Sequence, residues 1–123
     1  MTPLGAKLRE MRAERGVTLK EMAAAVGVSS AYLSALEHGR RGAPNWALVQ
    51  KIIGYFNVIW DEAEELQRLA KISDPRVVID TSGLSPEATE LANLLAGEIG
   101  RLEADQIAAL LAALRGASRR TGR

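Results

Sequence analysis

Few side chains in this sequence offer covalent or metal chemistry. There is no cysteine, and His38 is the single histidine, so disulfides and thiolate metal sites are excluded. A metal site would have to be built from His38 and carboxylates alone. The neighbouring acids Glu64 and Glu65 point apart if they sit on a helix, as on an ordinary solvated face. No Ser/His/Asp set has plausible geometry, and no glycine-rich loop is laid out to cradle a phosphate. The chemistry that remains is charge. Arg40 and Arg41, followed by Gly42-Ala43-Pro44, offer two adjacent guanidiniums to a polyanion. The sequence therefore predicts a binding protein rather than an enzyme, with no cofactor.

The formal net charge of +1 hides an asymmetry. Residues 1–56 hold eight basic side chains against four acidic ones, and residues 57–114 hold four against eleven. Arg115, Arg119, Arg120 and Arg123 then restore the balance. A basic front half and an acidic back half point to a polyanion-binding module joined to something that does not touch the polyanion. A hydrophobic fraction of 47% is too high for global disorder, and 4% aromatic content means a core built from Leu, Ile, Val, Met and Ala. No apolar run approaches a signal sequence or a membrane span, so a cytoplasmic protein with no membrane partner is expected.

Apolar spacing and capping residues place the elements. Leu4, Leu8 and Met11 recur at helical spacing, and the segment stops at Gly16. Thr18-Leu19-Lys20-Glu21 reads as a capping box opening a helix that carries Met22, Ala23 and Val26 and ends at Gly27. Only Val28 and Ser29 separate it from Tyr32, Leu33 and Leu36, with Ser29 as N-cap and Gly39 as stop. A connection this short makes the two helices cross steeply, which is a helix-turn-helix. Asn45 is placed to cap a fourth helix with Leu48, Ile52, Ile53 and Phe56 inward. A fifth, from about Trp60 to Lys71, supplies Leu66 and Leu69. Trp46 and Trp60 read as packing residues or as part of a partly exposed patch. These five helices form a domain over 1–72. Residues 73–83, with Arg76–Gly83 rich in β-branched side chains, read as an extended linker or a single edge strand. Ser85-Pro86-Glu87 starts another helix. The stripe Leu84, Ala88, Leu91, Leu95, Ile99, Leu102 and the second set Ile107, Leu110, Leu111, Leu114 predict a helical hairpin over 84–115, before a flexible basic tail at 116–123.

Over residues 8–58 the sequence resembles the Xre/Cro-type helix-turn-helix family, which includes the lambdoid phage repressors. The register of Gly16-x-Thr18, Ala23, Gly27, Val28-Ser29, Tyr32-Leu33, Leu36-Glu37 and Gly39 carries the likeness. It implies an all-α fold with a five-helix, lambda-repressor-like domain, here followed by the C-terminal hairpin. It also implies a largely buried ion pair between Arg12 and Glu37, and a helix over 30–38 that enters the major groove of double-stranded DNA. The positions matching the family's base-reading face are Ser30, Ala31, Ser34 and Ala35, with Tyr32 nearby. Beside what the resemblance implies, charge and position make Lys20, Ser29, His38, Arg40, Arg41 and Asn45 the expected phosphate contacts, while Lys51 reads rather as solvated surface. Two departures stand out. Long amides or guanidiniums usually read the bases, and four small residues cannot form such bidentate bonds. Leu19 stands where the family commonly has a glutamine near a phosphate.

The C-terminal helices match no signature, and their apolar stripes need a cover. A two-helix hairpin of this size buries too little surface alone. Palindromic operators call for two-fold symmetry, which favours a homodimer formed through Leu91, Leu94, Leu95, Ile99, Ile107 and Leu111. Packing back onto helix 60–71 is the alternative. The expected function is a dimeric transcriptional repressor. The alternative is an antitoxin-type regulator whose C-terminal helices bind a second protein while the front domain represses its own operon.

Overall fold

The computed structural model describes residues 1–120. Five helices come first: α1 (Pro3–Arg15), α2 (Leu19–Val26), α3 (Ser30–Glu37), α4 (Trp46–Phe56) and α5 (Asp61–Lys71). Their starts are local events. The Thr2 hydroxyl accepts from the Gly5 amide at 3.0 Å, and Pro3, at the first position, has no amide to satisfy. Thr18 Oγ1 accepts from the Glu21 amide at 3.0 Å, and Glu21 Oε1 accepts from the Thr18 amide at 3.4 Å, completing the capping box. Ser29 Oγ takes the Tyr32 amide at 3.0 Å, and Asn45 Oδ1 takes the Leu48 amide at 2.8 Å. Between α2 and α3 the turn rests on Gly27, whose φ of +79° is a left-handed conformation that a β-carbon would strain. The start of α5 is irregular: Trp60 makes no side-chain cap and holds a φ of +52°.

Each helix then buries one face. α1 packs on α3 and α5, α2 on α3 and α4, and α4 on α5. Leu4, Leu8 and Met11 from α1 meet Met22 and Val26, Leu33 and Leu36, Ile52 and Phe56, and Leu66 in one shared core. Each such side chain removed from water contributes roughly 1.5–3 kcal/mol. Two contacts fix how α1 crosses its neighbours. A β-carbon on Gly5 would fall 2.3 Å from the carbonyl oxygen of Glu37, so the backbones of α1 and α3 touch where only glycine fits. The Leu4 amide, which has no acceptor within its own helix, donates to Ser73 Oγ at 2.8 Å, and that hydroxyl in turn donates to the Leu69 carbonyl. Ser73 is buried for this reason. The sequence predicts it as the first linker residue, yet it seals the domain, and the first compact unit runs to Val77.

The second unit begins at Val78. The segment around it is neither helix nor strand. Two local turns shape it, with the Arg76 amide on Asp74 Oδ1 at 3.0 Å and the Ser82 amide on Asp80 Oδ1 at 2.9 Å. Hydrogen bonding from the Ser82 side chain, together with this backbone bond, holds the Asp80 carboxyl below its ordinary pKa. α6 (Pro86–Glu98) starts on a Ser85 cap, and a 3-10 turn (Ile99–Arg101) leads to α7 (Ala104–Arg120). Leu84 precedes α6 in a bend instead of joining its stripe. No residue of α6, the 3-10 turn or α7 is buried. The last helix extends beyond the expected hairpin bound at 115: α7 continues through Gly116 to Arg120. One glycine inside a helix costs only about 1 kcal/mol, and no proline follows to stop it. Residues 121–123, including Arg123, lie outside the described residues.

Candidate nucleic-acid interface

The start of α3, directly after the short turn at Gly27, faces outward. Ser30 and Ala31 are exposed in its first turn, while Ser34 and Ala35, one turn on, are half-buried. Tyr32 is half-buried as well, its ring packed against the core cluster. The five positions matched to base reading are thus not equivalent. The first two are open, and the last two are partly covered.

Cations flank this surface. Lys20 is exposed in the first turn of α2, and Arg40 and Arg41 are exposed just past α3. Among the described residues none of the three is within ion-pair distance of a carboxylate. Arg41 instead lies over the ring of Tyr32, with its guanidinium carbon 5.4 Å from the ring centre. Sequence reasoning named both residues and missed their contact, because nine positions of chain separate them and only the path of the loop brings them together. His38 ends α3, and its Nδ1 lies 2.8 Å from the Ser34 carbonyl. If Nδ1 donates there, Nε2 can donate to an anion only in the charged ring.

An open groove of about 430 Å3 runs between the turn and the first turn of α4. It brings together Ser29, Tyr32, Asn45 and Lys51. Ser29 Oγ and Asn45 Oδ1 already accept cap bonds, so the Ser29 hydroxyl hydrogen and the Asn45 amide group remain as donors. Lys51, outlying in sequence, stands beside them.

Behind the interface, Arg12 and Glu37 tie α1 to α3. Arg12 Nε donates to Glu37 Oε2 at 2.9 Å and Nη2 to Oε1 at 2.8 Å, a two-pronged bond, while Nη1 reaches the Val17 carbonyl at 3.3 Å. Glu37 is 1% exposed. The hydrogen bond to Glu37 raises the pKa of Arg12 above its ordinary value, against the opposing effect of desolvation. Trp46 and Trp60, at 73% and 80% exposed, stand outside the core. No group of three or more potential metal ligands occurs among the described residues. No helix among them is long and apolar enough to cross a membrane.

A family model described as a helix-turn-helix domain matches residues 3–73. Two curated proteins of Bacillus subtilis (strain 168) are similar. One, named as an uncharacterized HTH-type transcriptional regulator, RghRB, is 38% identical over 61 residues, or 50% of this chain and 44% of that protein. The other, named as the HTH-type transcriptional repressor RghR, is 40% identical over 52 residues, or 42% of this chain and 38% of that protein. The chain thus spans less than half the length of these relatives. A solved structure of a SinR protein/SinI protein complex aligns with a TM-score of 0.44 at 19% identity, covering 94% of this chain and 98% of that one.

Proposed function

Since the chain belongs to the helix-turn-helix domain family, a family of DNA-binding domains, we propose that it is a sequence-specific transcriptional regulator that binds double-stranded DNA as a homodimer and represses. The observation that carries this reading is the open first turn of α3 flanked by Lys20, Arg40 and Arg41, none of them neutralised by a carboxylate among the described residues. α3 enters the major groove with Ser30 and Ala31 leading and Tyr32, Ser34 and Ala35 behind. Short side chains let the helix approach closely: the alanines meet thymine methyl groups and each serine makes a single hydrogen bond. Affinity comes mainly from phosphates, held by Lys20, Ser29, His38, Arg40, Arg41 and Asn45, with Lys51 joining from the groove beside α4.

Two such heads bound to a palindrome sit about 34 Å apart, one turn of duplex. The exposed apolar residues of α6, the 3-10 turn and α7 supply the join, with Leu91, Leu94, Ile99, Ile107 and Leu111 open and Leu95 half-open. Repression is the activity named for the relative RghR, and a docked dimer that occludes a promoter is sufficient for it. The site of action is the cytoplasm, and no cofactor takes part.

The test is duplex binding by the full chain across a salt series. The double variant Arg40→Ala/Arg41→Ala should lose affinity and flatten the salt dependence, by about 0.9 in logarithmic slope for each phosphate contact removed. Unchanged affinity at moderate salt would end the docking proposal.

A further inference from the structure

α3 is built of SAYLSALE and contains no cation and no amide side chain. A two-pronged grip on a guanine edge, through N7 and O6, needs an arginine or lysine. If this protein distinguishes guanine in the major groove, that side chain must come from outside the helix, and one is already held beside it. Arg41 lies over Tyr32 at 5.4 Å. The ring beneath it is packed against the core, so it forms a fixed platform. Among the described residues no carboxylate pairs with Arg41, so its donors are uncommitted.

A guanidinium resting on an aromatic face keeps its planar fork of N–H donors while giving up much of its rotamer freedom before any ligand arrives. Attraction to a phosphate needs no such arrangement, and Arg40, exposed beside it and without a ring contact among the described residues, would serve that purpose. We propose that Arg41 reads a guanine in each half-site, with Tyr32 as the positioning residue that aims it. The proposal rests on the docking of α3 described above, and it moves Arg41 from the phosphate set to the base-reading set.

The test is selection of duplexes from a randomised pool by the full chain and by Arg41→Ala, Tyr32→Phe and Tyr32→Leu. The unaltered protein should favour guanine about tenfold at one position in each half-site. Arg41→Ala should erase that preference and leave the other positions as they were. Tyr32→Phe keeps the ring and should keep the preference. Tyr32→Leu should lose it at the same position although Arg41 is present, which a merely structural tyrosine would not produce. Should Tyr32→Leu fail to fold, Arg41→Ala still decides the base assignment, because Arg41 is an exposed loop residue. An affinity loss spread evenly over all sequences, with the salt slope reduced by about one, would make Arg41 a phosphate contact and overturn the proposal. Guanine preference intact in Tyr32→Leu would overturn the platform. If the unaltered protein selects no duplex at all, it is the docking of α3 that fails, a different result from either.

Discussion

The two units of this chain carry apolar stripes of similar composition and dispose of them in opposite ways. In Met1–Val77, Leu8, Met22, Leu33 and Leu66 from four different helices are almost wholly removed from water. Beyond Val77, Leu91, Leu94, Ile99, Ile107, Leu110, Leu111 and Leu114 are all exposed. Apolar residues recur at helical spacing in both units, so the presence of a stripe is not what separates them. A helix buries its apolar face only where a surface broad enough to cover that face packs on it, and α1 has one in α3 and α5. The lesson is that an amphipathic pattern specifies which face will be buried, but not the surface that buries it.

That contrast can be broken or sharpened by experiment. The largest effect should come from Arg12→Ala, which strands the Glu37 carboxylate inside the first unit at a cost of about 3–5 kcal/mol, read as a fall in the urea midpoint. The paired change Arg12→Met/Glu37→Leu should restore most of it. Close behind, Leu8→Ala should cost about 2–5 kcal/mol. Leu94→Ala, measured in dilute protein, should stay within about 0.5 kcal/mol. Equal losses at Leu8 and Leu94 would mean the second unit has a core of its own.

A chain ending at Val77 should keep the urea midpoint of the first unit while losing self-association in equilibrium sedimentation. If it dimerises as strongly as the full chain, α6 and α7 are not the join. Thr18→Ala should cost about 1 kcal/mol by opening the capping box of α2. The smallest effect concerns Glu65. Its hydrogen bond to Arg68 at 2.8 Å holds its carboxyl below the ordinary pKa. Such a group contributes stability above its unfolded pKa and loses it as pH falls through the folded one. Glu65→Gln should therefore be slightly less stable than the parent at neutral pH and equal to it in acid. The pair is exposed, so the gap between the two urea midpoints should be small.

Much of the first unit is legible without coordinates, for a definable reason. Thr18 with Glu21, Ser29 with Tyr32, and Asn45 with Leu48 each act within three residues, so the local order of residues is enough to reveal them. The contacts that escaped sequence reasoning span longer stretches of chain: Gly5 against Glu37, Leu4 against Ser73, and Arg41 over Tyr32. The family resemblance supplied Arg12 with Glu37, a pair that spacing alone does not reveal. Nothing in the composition of residues 116–120 marks where the last helix stops, and the structure carries α7 on to Arg120.

By itself the sequence determined the helices, their caps, the tight turn at Gly27 and the basic character of the front half, because propensity, capping and formal charge act over a few bonds. Only the tertiary structure decided which backbone crosses which, that Ser73 closes the domain, and that one arginine of an adjacent pair rests on an aromatic ring. Those outcomes depend on where distant segments meet, which is set jointly by all the packed faces and by no short stretch of residues.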